Sequence, residues 1–228
     1  GNEAPTWSIT GSEIKIELGG YGTLKNAAFR IKDFPVLYIP YMIFPAKTKR
    51  QTGILFPLFD NSNRNGYGLE IPFFLNISDH LDVTLYERYM DKRGLMQGLE
   101  FRYFKGRESK GEFLFDILKD KIAQKDLSDP YQAEITPFKR DNQDRYWLRG
   151  RIDQGMPYDI TARLDIDLVS DQDYLREFAG EVTGFEGRPD LAGDFGRPVE
   201  ERYSYFRRSA LRISRDSDNY SLQGFGNY

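Results

Sequence analysis

The only histidine of the chain, His80, follows directly after Ser78 and Asp79. These are the residue types of a hydrolytic triad, in which a histidine accepts the proton of a serine hydroxyl and a carboxylate orients the histidine. A triad is defined by its geometry, and three consecutive residues of a turn do not by themselves converge on one point. We therefore interpret His80 as a polar residue of a turn.

A second set of charged residues, Arg163, Asp165 and Asp167, recurs at every second position of YDITARLDIDLV. On a β-strand this spacing places the three side chains on one face. Two carboxylates on one face could bind a cation or work as an acid–base pair, but the neighbouring arginine favours an ion-paired wall. We predict that the three form a charged wall with Arg163 as the counter-ion, and that they are luminal charges if the strand belongs to a barrel.

Other chemistry has little support in the sequence. The glycine-rich FEGRPDLAGDFGRP lacks the strand–turn–helix context of a phosphate-binding loop. The absence of cysteine excludes thiolate nucleophiles, Cys-based zinc sites and disulfides within these residues. The net charge is −3, which gives no case for nucleic-acid binding. The sequence thus predicts no metal site and no cofactor.

Alternation of apolar and polar residues dominates the chain and defines the elements that carry these side chains. In residues 66–77, Tyr67, Leu69, Ile71 and Phe73 share one face, and Pro72 lies on the other. Residues 158–168 alternate in the same way. Further strands are predicted at residues 81–89, 95–104, 112–118, 145–152, 203–213 and 220–225. No amphipathic helix is evident, so we predict an all-β, antiparallel fold.

Two architectures fit this pattern, a soluble β-sandwich and a transmembrane barrel. Sandwich strands run to about 5–6 residues, whereas barrel strands need about 9–11, with polar and apolar faces that alternate. The two longest patterns fit the barrel template. The connections are unequal as well, since DKRG is short while residues 119–144 and 170–201 are long and polar. Short turns at one end and long loops at the other are typical of outer-membrane barrels.

The first fifty residues have shorter alternating runs and a regular series of prolines. The segment DFPVLYIPYMIFP contains Pro35, Pro40 and Pro45 between residues with a high strand propensity. Proline has no N–H for a sheet ladder and belongs at strand edges, starts and bulges. The apolar pattern breaks near KTKRQ. We predict a boundary there, with the final part of a separate sheet in residues 1–48 and a second domain in residues 49–228.

Several segments together resemble one protein family. They are NAAFRIKDFPVLYIPY, RQTGILFP, GLEIPFFLNISDHLDVTLYERYMDKRG, GLEFRYF and LVSDQDYLREF. In this order they are similar to the LptD family of lipopolysaccharide-assembly outer-membrane proteins, also called organic-solvent-tolerance proteins. The resemblance is close over most of residues 7–104 and looser beyond. It implies the end of a periplasmic β-jelly-roll followed by the first strands of a large transmembrane β-barrel.

The resemblance implies a translocon in the Gram-negative outer membrane and not an enzyme. Such a protein receives lipopolysaccharide from a periplasmic jelly-roll bridge protein and releases it sideways into the outer leaflet. Its other partners are a plug lipoprotein in the barrel lumen and the lipid of the outer membrane. The remaining barrel strands are then expected beyond Tyr228.

The resemblance also assigns roles to particular residues. Pro57 and Pro72 match the prolines that weaken pairing at a lateral gate, although each could simply mark a bulge. The three prolines of DFPVLYIPYMIFP would form the interdomain linker, and Tyr67, Leu69, Ile71 and Phe73 would face lipid. Two other functions stay open, another outer-membrane pore or channel and a soluble carbohydrate-binding sandwich.

Overall fold

A computed structural model describes most of the chain. The described residues are 7–17, 20–31, 34–46, 50–122, 128, 130–133, 142–180, 184, 195–197, 204, 206–217 and 220–227. They divide between two compact units. The first unit comprises Gly1–Phe56 and Pro72–Asn76, and the second comprises Pro57–Ile71 and Ile77–Tyr228. The predicted boundary between residues 48 and 49 stays a prediction.

The first unit is built on a four-stranded antiparallel sheet. Its strands are β1 (Trp7–Thr10), β2 (Glu13–Ile16), β3 (Tyr21–Ile31) and β4 (Phe34–Pro45). The long strand β3 pairs with β1 and β2 along one side and with β4 along the other. One face of this sheet carries a small core of Leu24, Ala27 and Met42, against which Ile9, Ile39 and Phe44 pack.

Pro35, Pro40 and Pro45 all lie inside β4, which is an edge strand of the described sheet. An edge strand tolerates proline because an absent N–H on its outer side leaves no ladder bond unmade. Opposite Pro40, Asn26 adopts a left-handed φ of 49°. The three prolines are thus strand residues of the first unit, and their role as an interdomain linker stays a prediction.

The larger sheet has ten strands and is antiparallel throughout. Its first two strands, β5 (Gly53–Ile54) and β6 (Leu58–Ser62), both pair with β7. The others follow in chain order: β7 (Gly66–Ser78), β8 (Leu81–Met90), β9 (Gly94–Gly106), β10 (Ser109–Lys119), β11 (Asp144–Met156), β12 (Ile160–Val169), β13 (Ala210–Ser217) and β14 (Tyr220–Asn227). The described sheet is not closed, and its outermost strands are β5 and β6 at one edge and β14 at the other.

The all-β, antiparallel prediction is confirmed, although several strands begin or end at other residues than predicted; β10 begins at Ser109 and not at residue 112, and β11 ends at Met156 and not at residue 152. The strand predicted from residue 158 begins at Ile160, because Tyr158 and Asp159 form a turn with φ of 66° and 58°. The strand predicted from residue 203 begins at Ala210. Just before it, the Ser209 hydroxyl accepts a hydrogen bond from the Asp167 N–H at 3.1 Å, which replaces a ladder bond at that position. Tyr203 lies outside the described residues.

Within the described residues, short helices with defined bounds lie between the strands at α1 (Pro130–Ala133) and α2 (Tyr174–Glu177). Each contains four residues, about one turn. Across the described part of the chain, none of the helices is long and apolar enough to cross a membrane.

The long connections of the larger sheet all lie at one end. At the other end, β7 is joined to β8, β9 to β10 and β11 to β12 by two or three residues. At the end with the long connections, β10 ends at Lys119 and β11 begins at Asp144, while β12 ends at Val169 and β13 begins at Ala210. The predicted asymmetry is therefore present only in part, because β8 and β9 are joined by just three residues, 91–93, at the same end as the long connections.

The larger sheet buries a face that carries most of its charged side chains, together with apolar ones such as Leu114 and Trp147, and it exposes a mainly apolar face. Along β8, Asp82, Thr84 and Arg88 are buried, whereas Leu85 and Tyr89 are exposed. Strands β10 and β11 repeat the pattern, with buried Glu112, Asp116, Arg149 and Arg151. A soluble sheet does the reverse, because burying apolar area is its main source of stability.

Candidate functional site

The buried face of the larger sheet is a wall of ion pairs between neighbouring strands. On this wall Arg149 of β11 donates to Asp116 of β10 at 2.9 Å. The Arg149 guanidinium also lies 3.7 Å from the centre of the Trp147 ring, whose Nε1 donates to Asp167 of β12 at 2.9 Å. A buried charge is tolerated only when it is paired. The wall therefore depends on partners from adjacent strands.

Five charged side chains converge near the end of the sheet with the long connections, and we call them the arginine cluster: Arg93, Asp120, Arg145, Asp171 and Glu177. Arg145 donates to both oxygens of Asp171, at 3.0 Å from Nε and 2.7 Å from Nη2. Asp120 accepts from Arg93 at 2.7 Å and from Arg145 at 3.1 Å. Both arginines also contact the Glu177 carboxylate. The arginine cluster ties the segment after β12 to the sheet.

Helix α2 holds the arginine cluster in place through its own packing. Asp171 accepts a hydrogen bond from the Tyr174 N–H at 3.1 Å, which starts the helical turn. The rings of Tyr174 and Phe178 lie 5.0 Å apart and are buried with Leu175 against Met96 and Trp147. This burial raises the pKa of the Tyr174 hydroxyl well above its ordinary value. The segment after β12 thus closes over a small apolar core.

Two further arginines beyond α2 return to the same wall. Arg197 donates from Nη1 to Asp153 at 2.7 Å and from Nε to Asp165 at 2.9 Å. Arg207 contacts the Asp167 carboxylate. The fork of a guanidinium suits two acceptors on neighbouring strands. Together with the arginine cluster, these contacts attach the described parts of the connection between β12 and β13 to the sheet.

The structure places the three predicted luminal charges on one face of β12 but gives them other partners than expected. Asp165 contacts Arg151 and Arg197, and Asp167 contacts Arg207. Arg163 lies 3.8 Å from Asp153 on the neighbouring strand and does not serve as their counter-ion. The reason is distance, because alternate residues of one strand lie about 6–7 Å apart.

The ladder at the edge of the larger sheet changes register near Pro57 and Pro72. In β5, Ile54 pairs with Phe73 of β7, whereas in β6 Leu58 pairs with Glu70. Three residues of the edge strand therefore stand opposite two residues of β7, and Pro57 is one of the three. The Pro72 carbonyl accepts the Leu55 N–H at 2.9 Å. Each proline lacks an N–H, so neither can donate to this ladder.

The residues predicted to face lipid share the outward face of β7. Tyr67 is 68% exposed, and Leu69, Ile71 and Phe73 are partly exposed, while the alternating Gly68, Glu70, Pro72 and Phe74 are buried. The soluble-sandwich alternative required these four apolar side chains to be packed internally. The outward placement is instead the arrangement that a lipid-facing strand would have.

The described residues contain no arrangement that suggests hydrolysis or metal binding. His80 is exposed in the turn between β7 and β8, and its N–H lies 3.3 Å from the Ser78 hydroxyl. Ser78 and Asp79 are exposed as well. Within the described residues, no group of three or more His, Cys, Asp or Glu side chains could hold a metal ion.

Sequence reasoning missed the arginine cluster. Its members come from the turn after β8, the ends of β10 and β11 and the segment after β12, so no local spacing joins them. Charged residues beside strand ends are common in soluble sheets as well, so the sequence offered no signal that these five come together.

Comparison with known proteins decides the family. The family model described as LptD protein matches residues 24–150. The chain belongs to the LptD family. The proteins named "LPS-assembly protein LptD" from Xanthomonas oryzae pv. oryzae (strain MAFF 311018) and Pseudomonas putida (strain GB-1) are both 35% identical to it, over 84% and 83% of this chain. The Pseudomonas entomophila (strain L48) protein of the same name is 33% identical over 80% of the chain.

The matches cover only part of these relatives. The aligned region amounts to 22% of the Xanthomonas protein, 19% of the P. putida protein and 18% of the P. entomophila protein. The chain therefore spans about a fifth of the length of the LptD proteins that it matches.

Proposed function

We propose that the chain is part of a lipopolysaccharide translocon in the Gram-negative outer membrane. In this proposal residues 1–48 end a periplasmic jelly roll that receives lipopolysaccharide from a periplasmic jelly-roll bridge protein. Residues 49–228 supply the first strands of a barrel that releases the lipid sideways into the outer leaflet. A plug lipoprotein occupies the lumen, and the role is transport and not catalysis.

The single observation that carries the proposal is the inverted polarity of the larger sheet. An apolar face that is exposed in this chain is stable only if it meets lipid or another apolar surface. A charged face that is buried and ion-paired suits a lumen wall. The family membership supports the same interpretation, because the relatives are named for lipopolysaccharide assembly.

The gate is proposed from the register change at the edge of the sheet. A closed barrel has no free edge, so lateral release needs one seam whose ladder opens at low cost. Pro57 and Pro72 each remove one N–H donor close to the point where β5 gives way to β6. A backbone hydrogen bond contributes about 0.5–1.5 kcal/mol net, so two absent donors lower the cost of opening appreciably.

The experiment replaces both prolines by alanine in the full-length protein and measures the arrival of newly made lipopolysaccharide at the cell surface. Restored donors should strengthen the first strand pair and slow export. The outer membrane should also become sensitive to bulky antibiotics. The matched control is Pro157→Ala, since Pro157 lies in the exposed turn between β11 and β12 and outside every ladder. Unchanged export in the double variant would contradict the gate.

A further inference from the structure

A cleft of about 850 Å³ opens on the first unit. Its volume lies within the range of about 300–1,000 Å³ that is usual for small-molecule sites. The walls are mainly apolar and include Tyr41 and Ile43 of β4, Ile54 of β5 and Phe73 of β7. Lys15 and Glu17 stand at its rim.

The cleft lies on the face of the small sheet opposite to its core. Leu24 and Met42 are cross-strand partners and belong to the core. Their neighbours along the strands, Thr23 and Ile43, are also partners and line the cleft instead. Because side chains alternate along a strand, the cleft and the core occupy opposite faces. The cleft is therefore separate from the apolar interior of this sheet.

The apolar wall of the cleft continues an exposed strand face. Phe73 lies on the outward face of β7 with Tyr67, Leu69 and Ile71, which are the residues that our proposed function places against lipid. Tyr41 and Ile43 are themselves 53% and 42% exposed. Large apolar side chains grouped on a surface in this way mark a site for an apolar ligand.

Among the described residues, the charged side chains beside the cleft are balanced. Glu13 accepts hydrogen bonds from Lys15 at 2.9 Å and from Lys25 at 2.8 Å. These contacts, Lys25 first, lower the pKa of Glu13 to about 2, so the group is ionised at neutral pH. Glu17 adds a second carboxylate at the rim. Two ammonium groups and two carboxylates attract neither a strongly anionic nor a strongly cationic headgroup.

We propose that this cleft binds a zwitterionic glycerophospholipid, with an acyl chain between Tyr41, Ile54 and Phe73. The headgroup phosphate then lies near Lys15 and its ammonium group near Glu17. The inference rests on the proposed function only in placing the protein in a bilayer. The ligand differs from lipopolysaccharide, whose several negative charges would need a net basic rim.

The test uses the full-length protein in detergent and a phosphatidylethanolamine with a photoreactive group in one acyl chain. Labelled peptides are mapped by mass spectrometry. Labelling should fall on β4 and on the segment around Ile54. Unlabelled phosphatidylethanolamine should compete about tenfold better than phosphatidylglycerol with the same chains, because a charge-assisted contact contributes on that order.

Two variants separate a built site from general lipid contact. Ile43→Trp fills the cleft and should abolish labelling of β4, whereas Ile14→Trp, on the opposite face and 62% exposed, should leave it unchanged. Glu17→Lys makes the rim cationic and should shift the preference toward phosphatidylglycerol. The proposal is overturned if labelling spreads evenly over all outward strand faces, or if lipopolysaccharide competes better than phosphatidylethanolamine.

The outcome is independent of the gate experiment. Binding in detergent requires no export, and the export assay with the proline variants requires no bound phospholipid. Specific labelling together with unchanged export in the proline variants would contradict the proposed gate and leave the cleft assignment standing. Slowed export in the proline variants together with unspecific labelling would overturn the cleft assignment and leave the proposed gate standing.

Discussion

Arg145 and Asp171 form a two-pronged ion pair, with Nε 3.0 Å from one carboxylate oxygen and Nη2 2.7 Å from the other. Arg145 is fully buried, and Asp171 lies three residues before Tyr174, the first residue of helix α2. The pair joins the start of β11 to the segment after β12, which are 26 residues apart in the chain. It is therefore a long-range contact between that segment and the sheet.

Replacement of Arg145 by methionine should be strongly destabilising. The variant would leave Asp120, Asp171 and Glu177 short of a shared cation inside the protein, and breaking a buried pair costs about 3–5 kcal/mol. The measurement is urea unfolding of the full-length protein in lipid vesicles. Arg163→Met is the matched control, because the Arg163 side chain is 50% exposed and its ion pair with Asp153 is long, at 3.8 Å. Its effect should stay below about 1 kcal/mol, and equal effects would contradict the assignment.

Tyr174 should make the protein sensitive to alkali. Burial raises the pKa of its hydroxyl well above 10.0, so the folded protein keeps a proton that the unfolded chain releases. The free energy of unfolding is therefore unaffected by this group below pH 10 and falls as the pH rises above it. Tyr174→Phe should remove that part of the loss, while Tyr174→Ala should cost about 3–5 kcal/mol at neutral pH through lost packing. Identical alkaline profiles for the parent and the Phe variant would refute the account.

Arg197 should couple two strands of the wall through its fork. A double-mutant cycle of Arg197→Met with Asp165→Asn measures this coupling directly. We expect a coupling energy of about 1–2 kcal/mol. This value is lower than that of a fully buried ion pair because Arg197 is partly exposed. Arg197→Lys keeps the charge, but a single ammonium group cannot bind Asp153 and Asp165 together. The free energy of unfolding of this variant should therefore lie between those of the parent and Arg197→Met. A coupling energy of zero would contradict a stabilising contact between Arg197 and Asp165.

Strand positions were predictable from the sequence because alternation is a local signal. Residues 66–77 and 81–89 contain the pattern in full, and both strands form within a residue of the expected ends. The predicted start of β12 was wrong, because Tyr158 and Asp159 adopt left-handed φ values that the side-chain types alone do not reveal.

The site was less predictable than the strands. Asp165 and Asp167 were correctly assigned to one face, but their cationic partners Arg197 and Arg207 come from a long connection. Pairing across such a distance depends on how the whole segment folds back, which no periodicity encodes. The same reason explains why the arginine cluster was not foreseen.

The most direct test of the account asks what contacts the outward face of the larger sheet. Leu85, Leu99 and Ile117 lie on three adjacent strands, and each is 39% exposed. The 228 residues contain no cysteine, and in a full-length protein whose other cysteines, where present, are replaced by serine, Leu85→Cys, Leu99→Cys or Ile117→Cys adds a single site for a spin label. His80→Cys, in the exposed turn, is the aqueous control. In the full-length protein in lipid vesicles, we expect oxygen to relax the three strand labels much more strongly than a water-soluble nickel chelate does, with the opposite order at position 80. Strand labels that respond mainly to the nickel chelate would contradict the membrane assignment on which the account rests.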